Sequence, residues 1–251
     1  MADSAAPVEK RNSLHGQWSS RLAFILAVSG SAVGLGNIWK FPYVAGQNGG
    51  GAFVLVYLLC VAAIGLPVMM SEVLLGRRGR RNPIETMRIL GREEANQPAW
   101  SLVGAMGMLG GFLILSFYSV IAGWTLHYVV LAAGNSFDGA NAEVLGELFG
   151  ELTGSISVQT GWHSLFMLLT VFVVARGVER GLEQAVRVMV PALILIMLGL
   201  LGYAMTNGAF MEGLSFLFRP DFDKLTSTAV LAAMGQAFFS LSVGMGAVMA
   251  Y

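Results

Sequence analysis

The chain has 251 residues and no net charge, because 15 acidic residues balance 15 basic ones, and its mean hydropathy is +0.67. Only 12% of the residues are charged and 55% are hydrophobic, whereas soluble domains carry about 25% charged residues. This composition excludes an ordinary soluble domain and a broad polyanion-binding surface, so nucleic acid is not an expected partner.

Six apolar segments are candidates for membrane-spanning helices, each of which needs about 20 residues. In chain order, segments 1 to 6 cover residues 19–45, 51–76, 99–133, 161–176, 183–206 and 227–251. The third is longer than a bilayer requires, and the fourth is the weakest candidate. The chain stops inside segment 6, so we expect it to be the amino-terminal half of a longer protein.

Basic residues are divided unequally between the two sets of linkers that alternate along the chain. One set and the amino terminus hold twelve, namely Lys10, Arg11, Arg21, Arg77, Arg78, Arg80, Arg81, Arg88, Arg92, Arg176, Arg180 and Arg187. The other set holds three, namely Lys40, Arg219 and Lys224. Because cytoplasmic loops are enriched in Lys and Arg, the amino terminus is predicted to be cytoplasmic, in a cell membrane that we expect to be a bacterial inner membrane.

Segment 1 contains three glycines and an asparagine near the predicted membrane midplane: Gly30, Gly34, Gly36 and Asn37. One interpretation is close helix packing through a GxxxG pair, Gly30 and Gly34. A nucleotide-binding loop is disfavoured, because the glycine spacing is wrong and no strand precedes it. The third interpretation is a helix that breaks in the membrane, where its freed amides and carbonyls bind a charged substrate and an ion.

Segment 6 favours the broken helix, because it repeats the V-G-x-G pattern of residues 33–36 at residues 243–246. A match between the first and sixth segments implies a five-helix repeat, and an odd number of spans makes the second repeat run inverted. We therefore predict a tail at 1–18, a first repeat at 19–206, an extracellular loop at 207–226 and the first helix of a second repeat at 227–251. Paired glycine-interrupted segments indicate a transporter binding site.

Several blocks of sequence resemble the neurotransmitter:sodium symporter family. They are GSAVGLGNIWKFPY at 30–43, NGGGAF at 48–53 and GQAFFSLSVGMG at 235–246, and they occur in the family's order together with Trp18, Glu72 and Tyr118. The resemblance covers essentially the whole chain. It implies an all-α integral membrane protein with the LeuT-type 5+5 inverted-repeat fold, of which this chain holds helices 1 to 6.

The resemblance also implies which residues bind the ions and the substrate. The implied sodium ligands are Gly30, Ala32, Val33, Asn37 and Ser240, divided between two sites. The implied substrate pocket comprises Ala32, Gly34, Leu35, Gly36, Ile114, Tyr118, Phe239, Ser240, Ser242 and Met245. The implied gating residues are His15, Trp18, Lys40, Tyr118 and Phe239, and a candidate anion site lies near Tyr57, Gln236 and Ser240. Glu72 is expected to hydrogen-bond unwound backbone.

Gly34 indicates the type of substrate. Monoamine carriers of the family have aspartate at this position, whereas glycine leaves room for the carboxylate of an amino acid. Met245 is flexible and polarizable, which suits apolar substrate side chains. Two departures concern the gates, because His15 and Lys40 both stand where many relatives have arginine.

The predicted function is sodium-coupled symport of a neutral, preferentially hydrophobic amino acid by alternating access, and no enzyme activity is expected. A proton-coupled transporter of the same fold is the nearest alternative. A channel or a non-transporting membrane subunit is a more distant one, since polar residues concentrate at two breaks instead of lining several helices. The expected partners are the amino acid, sodium and the lipid bilayer, and the sequence leaves open the chloride dependence and the oligomeric state.

Overall fold

The computed structural model describes residues 18–250, and this part of the chain is helical. Its α-helices are α1 Arg21–Ala32, α2 Phe41–Gln47, α3 Gly51–Cys60, α4 Leu66–Gly79, α5 Pro83–Ala95, α6 Ser101–Ala133, α7 Ala142–Gly154, α8 Ile156–Val174, α9 Gln184–Asn207, α10 Phe210–Phe218, α11 Ser227–Leu241 and α12 Ala247–Ala250. Short π-helices lie at Gly36–Lys40, Val61–Gly65 and Val178–Glu183, and 3-10 turns at Pro98–Trp100 and Phe222–Lys224. His15 and nearly all of the predicted tail lie outside the described residues.

The predicted membrane segments all coincide with helices. Within residues 18–250, four stretches are long and apolar enough to cross a membrane, namely Gly51–Gly79, Pro98–Ala133, Ile156–Val174 and Val178–Asn207. Segment 1 is a fifth candidate if its two helices count as one span, and α11 is a shorter apolar helix. At most 11% of the most apolar window of any of the four is buried inside the protein. Their surfaces therefore require an apolar environment, as in an integral membrane protein.

Segment 1 is a broken helix. It begins at Ser20, whose side chain accepts a hydrogen bond from the N–H of Ala23, and α1 ends where Val33 adopts an extended conformation. The chain resumes as a π-helix that continues into α2, and the two parts are bent by 46°. Gly30 also lies close to α9, since a Cβ there would be 2.7 Å from Val190 Cγ2. Both the break and the close packing at Gly30 therefore occur.

Segment 6 breaks at the matching position. Helix α11 ends in Ser242, which has a left-handed backbone conformation with φ of 53°. Gly244 and Gly246 follow with φ of 87° and 73°, and α12 begins at the next residue. Side chains are disfavoured at such positive φ values, so the glycines of the second V-G-x-G pattern permit the break.

The described residues form two compact units. The first comprises residues 18–108 and 183–250, and in it α11 packs against α3, α1 against α9, and α12 against α4. A core cluster of Ala45, Phe53 and Ala233 joins α2, α3 and α11. This unit contains both breaks. The boundaries of the two units are not those of the predicted repeats. The division into repeats therefore stays a prediction.

The second unit comprises residues 109–182. Here α6 lies against α8, because a Cβ at Gly123 would be 2.9 Å from the backbone nitrogen of His163. Trp124 Nε1 donates a hydrogen bond of 3.3 Å to Gln159 Oε1, which ties the same two helices together. A π-helix, Val178–Glu183, contains Gly181 and ends this unit, whereas Pro191 lies inside continuous α9. The irregularity therefore falls at the glycine and not at the proline.

The glycines of the NGGGAF block are explained by a close approach of two backbones. Gly49 and Gly50 have positive φ, and Gly50 forms an isolated antiparallel bridge with Pro220. A Cβ at Gly51 would overlap the carbonyl oxygen of Leu217. The start of α3 is therefore held against the connection between α10 and α11.

The predicted orientation can be tested by cysteine labelling in a Cys60→Ser background. Asp223 is exposed in the predicted outer connection, and Gln97 is exposed in the predicted inner one. We expect a membrane-impermeant maleimide added to intact cells to label Asp223→Cys and to leave Gln97→Cys unlabelled until the cells are lysed. If only Gln97→Cys were labelled in intact cells, the orientation would be the opposite of the predicted one.

Candidate functional site

The two helix breaks are linked by side chains that replace missing backbone hydrogen bonds. Asn37 follows the first break, and its Nδ2 donates a 2.5 Å hydrogen bond to the carbonyl oxygen of Ala32, the last residue of α1. Ser240 Oγ, from the last turn of α11, donates to Asn37 Oδ1 at 2.6 Å. One asparagine therefore joins the end of α1, the start of the π-helix and the end of α11.

Two further side chains of segment 6 bind backbone carbonyls of segment 1. Gln236 Nε2 donates to the carbonyl oxygen of Gly36 at 3.2 Å and lies 3.4 Å from Ser240 Oγ. Ser242 Oγ donates to the carbonyl oxygen of Ser31 at 2.9 Å. Gln236, Ser240 and Ser242 are all buried. These polar groups stand between apolar helices, where an unsatisfied carbonyl would be costly.

The first break leaves backbone donors available. In the described part of the chain, nothing accepts a hydrogen bond from the N–H groups of Gly34 and Leu35. These groups lie at the amino-terminal end of the helical stretch that continues through Gly36–Lys40 into α2. Such an end is favourable for an anion, because free N–H groups and the helix dipole both attract negative charge.

The aromatic ring of Phe239 packs over Gly36, the residue after Leu35. A Cβ at Gly36 would overlap the aromatic ring of Phe239, so only glycine fits beneath it. Lys40 Nζ lies 5.7 Å from the centroid of the same ring, within cation–π range. The structure thus brings together two of the predicted gating residues, Lys40 and Phe239.

Glu72 supports the second break from the side of α4. Its Oε1 accepts a 2.6 Å hydrogen bond from the N–H of Gly244, and its Oε2 accepts one of 3.4 Å from the N–H of Met249. Glu72 is buried. The expectation that it hydrogen-bonds unwound backbone is confirmed, and both of its oxygens are engaged by the chain on either side of Gly246.

Other predicted site residues lie on α6, at the second break and on α3. Ile114 and Tyr118 lie on α6 in the second unit, so their roles stay predictions. Met245 lies at the second break, where its backbone is 3.1 Å from the position of a Cβ at Gly107. Tyr57 packs on Phe41, with ring centroids 4.8 Å apart. The anion role of Tyr57, Gln236 and Ser240 also stays a prediction.

A polar cluster at the start of α1 involves residues that are not among the predicted site residues. The carboxylate of Glu183 accepts hydrogen bonds from the backbone N–H of Ser19, at 3.0 Å, and from the Ser19 hydroxyl. Arg187 Nη2 lies 2.6 Å from Glu183 Oε1 and 3.4 Å from Ser19 Oγ. Glu183 is buried. The E-x-x-x-R spacing at the start of segment 5, which places both side chains on one helix face, is the signal that could have revealed it.

The chemistry available at the breaks is that of neutral oxygen donors. Residues 18–250 contain no cluster of three or more His, Cys, Asp or Glu side chains that could hold a metal ion. The Ala32 carbonyl and Ser240 Oγ are instead each hydrogen-bonded to the Asn37 side chain, which brings three neutral oxygens to one place. Oxygen donors of this kind suit hard cations, and the adjacent free amides suit a carboxylate.

Comparison with known proteins agrees with this architecture. The Sodium:neurotransmitter symporter family matches residues 15–140 and 150–251. The uncharacterized sodium-dependent transporter YhdH of Bacillus subtilis is 43% identical over 94% of this chain and 51% of its own length. The sodium-dependent neutral amino acid transporter B(0)AT2 of Mus musculus is 29% identical over 93% of this chain and 35% of its own length.

A solved structure gives the same result for the fold. The crystal structure of MhsT in complex with L-phenylalanine superimposes with a TM-score of 0.85 at 44% identity, over 94% of this chain and 53% of MhsT. The chain thus has the predicted LeuT-type helical fold and spans about half the length of the bacterial relatives and of the solved structure that it matches.

The contact between Gly36 and Phe239 predicts a specific response to substitution. Gly36→Ala should lower the thermal unfolding temperature of the purified protein, because the new methyl group overlaps the ring and forces a rearrangement that typically costs about 1–3 kcal/mol. Gly46→Ala is the matched control, since nothing lies within 4 Å of a Cβ there. The loss should shrink in a Phe239→Ala background, and an equal loss in both backgrounds would contradict the proposed contact.

Proposed function

The chain belongs to the Sodium:neurotransmitter symporter family, and from this premise we propose that the protein containing it carries a neutral amino acid across the membrane together with sodium. The observation that supports this proposal most directly is the Ala32–Asn37–Ser240 group, which links the two helix breaks and lies beside the free backbone amides of the first break. Such a site suits a cation and a carboxylate bound next to each other. Sodium supplies the cation, and the amino acid supplies the carboxylate.

Sodium is proposed to bind at the Ala32 carbonyl and the side chains of Asn37 and Ser240. The Nδ2–H of Asn37 already donates to the Ala32 carbonyl, so the carbonyl is directed at a positive group. A cation bound there would take over this role, and the asparagine side chain would turn to present Oδ1. A second sodium site would use the carbonyls of Gly30 and Val33 together with residues beyond this chain.

The substrate carboxylate is proposed to bind the amides of Gly34, Leu35 and Gly36. It would then lie close enough to the Ala32–Asn37–Ser240 group to complete the coordination of sodium. Each ligand would strengthen the binding of the other, because the two opposite charges are held in a low-dielectric site. The hydroxyl of Tyr118 is proposed to add a hydrogen bond to the same carboxylate.

The side-chain pocket is proposed to accept apolar substrates and to be formed by Ile114, Phe239, Ser242 and Met245. Phe239 supports this preference, because it presents an aromatic ring directly at Gly36. Similarity adds support: MhsT is crystallised with L-phenylalanine, and B(0)AT2 is a neutral amino acid transporter. The proposed cargo is therefore a neutral amino acid with a hydrophobic side chain.

Transport is proposed to proceed by alternating access. On the outer side, closure would involve Phe239, Lys40 and Tyr118. On the cytoplasmic side, the Glu183 carboxylate would hold the start of α1 through Ser19, which follows the predicted gating residue Trp18 in the sequence. Because the proposed sodium ligand Ala32 lies at the other end of the same 12-residue helix, movement of α1 would open the sodium site.

Proton coupling is less well supported by the arrangement of carboxylates. Of the acidic residues in the described part of the chain, only Glu72 and Glu183 are buried. Backbone N–H groups engage both oxygens of Glu72, while Ser19 and Arg187 engage Glu183. Both acids therefore have structural partners, whereas the neutral oxygens at the breaks remain suited to sodium.

Binding of a radiolabelled hydrophobic amino acid to the purified full-length protein, measured while sodium is replaced by potassium, tests the proposal. We expect binding to require sodium, and Asn37→Ala to raise the half-saturating sodium concentration by at least about tenfold, because about 1.4 kcal/mol of ion binding corresponds to that factor. Asn48→Ala serves as the control, since Asn48 Nδ2 bonds only the Val44 carbonyl away from the breaks. Equal binding in potassium would refute sodium coupling.

Gly34→Asp tests the carboxylate site separately. The added negative charge would face the substrate carboxylate in a desolvated position, where like charges repel strongly. We expect amino-acid binding to be lost while the thermal unfolding temperature stays within a few degrees of the wild-type value. Unchanged affinity in a stably folded variant would contradict the assignment of the substrate carboxylate to residues 34–36.

A further inference from the structure

The connection between α4 and α5 concentrates positive charge. Residues 77–94, named here the basic turn, contain six arginines and three glutamates and therefore carry a net charge of +3. The six arginines are Arg77, Arg78, Arg80, Arg81, Arg88 and Arg92. The whole chain is neutral, so this is a local excess and not a general property of the protein.

Of these six arginines, two form ion pairs with glutamates, Arg81 donates to the carbonyl oxygen of Arg80, and three have no acidic partner in the described part of the chain. Arg78 pairs with Glu94, and Arg88 pairs with Glu85 at 2.7 Å. Arg77, Arg80 and Arg92 are exposed, and no carboxylate among residues 18–250 pairs with them. Three guanidinium groups are therefore available for an anionic partner.

The basic turn starts at the end of a membrane-spanning helix. The apolar stretch Gly51–Gly79 is 29 residues long, and Arg77 and Arg78 lie in its last turn. Two charged side chains at that end place it at the level of the lipid headgroups, since arginine is strongly disfavoured in the hydrocarbon. The basic turn therefore begins at the level where phospholipid phosphates are found.

The basic turn is also a defined structure. Asn82 Oδ1 caps α5 by accepting a 2.9 Å hydrogen bond from the N–H of Glu85, and Thr86 Oγ1 donates to the carbonyl oxygen of Arg81 at 3.0 Å. Thr86 is fully buried against Gly79. The arginines are thus presented from a fixed backbone, which lowers the entropy lost when a ligand binds.

We propose that the basic turn binds the phosphate headgroups of anionic phospholipids. Charge complementarity and continuity with the span ending at Gly79 favour lipid over a soluble acidic partner. Clusters of four to eight basic residues next to the cytoplasmic end of a span are typical of such binding, and each contributes about 1 kcal/mol near an anionic surface. Guanidinium groups also match phosphate oxygens in geometry, because two parallel hydrogen bonds can form.

Bound lipid would act next to the second helix break. Pro83, at the start of α5, lies 2.9 Å from the position of a Cβ at Gly246, and Gly76 of α4 lies against the backbone of Met249. Holding the α4–α5 connection at the membrane surface would therefore also hold the structures on which α12 packs. The proposal goes beyond the transport function and does not depend on which substrate is carried.

The test is titration of phosphatidylglycerol, with phosphatidylcholine as the neutral comparison, into the purified full-length protein in a neutral detergent, followed by native mass spectrometry. The wild-type protein should retain phosphatidylglycerol preferentially. The triple variant Arg77→Gln, Arg80→Gln and Arg92→Gln should bind it about a hundredfold more weakly, at about fivefold for each arginine. All three side chains are exposed, so the variant is expected to fold.

Two controls identify the source of the effect. Arg219→Gln removes an exposed arginine of the predicted outer side and should leave the preference for phosphatidylglycerol unchanged. Replacing the same three arginines of the basic turn by lysine should retain most of the binding, because the charge is kept. Equal retention of both lipids by the wild-type protein, or an undiminished preference in the glutamine variant, would overturn the proposal. Sodium and amino acid are absent throughout, so the result is independent of the transport proposal.

Discussion

The breaking of two apolar helices that contact each other at their breaks is the constraint on which the rest of this structure depends. Each break removes backbone hydrogen bonds in surroundings where water cannot replace them, at a cost of several kcal/mol for each unsatisfied group. The chain offsets this cost because side chains near one break form hydrogen bonds with groups at the other. Asn37 and Ser240 join them directly, Gln236 and Ser242 of segment 6 bind carbonyls of segment 1, and Glu72 binds the amides of the second break.

The groups that stabilise the breaks are also the groups proposed to bind the cargo. A carbonyl at the end of α1 and the oxygens of Asn37 and Ser240 suit a cation, while the amides after the break suit a carboxylate. Ligand binding would exchange internal hydrogen bonds for ligand contacts instead of creating a site from nothing. Such an exchange would couple the ions and the substrate to the arrangement of α1, the helix that Glu183 holds at its other end.

Much of the site could be predicted from the sequence because its chemistry depends on backbone irregularity. The V-G-x-G patterns indicate both breaks, and the family resemblance led to the expectation that Glu72 hydrogen-bonds unwound backbone. The Ser19–Glu183–Arg187 cluster was missed, since Ser19 and Glu183 are 164 positions apart and nothing local indicates that they meet. The anion role of Gln236 stays a prediction, and its hydrogen bond to the Gly36 carbonyl could not be predicted, because this contact depends on the register between α11 and segment 1.

The sequence by itself determined that this chain spans a membrane, that segments 1 and 6 are interrupted, and which family it resembles. Composition, hydropathy and glycine spacing are local properties, and they suffice for those conclusions. Only the tertiary structure decided which side chain replaces each missing backbone hydrogen bond. It also decided that Gly36 must lack a side chain, because the ring of Phe239 lies over it. Those choices depend on how helices distant in sequence pack, because a hydrogen bond forms only within about 3 Å, a distance that no sequence pattern specifies.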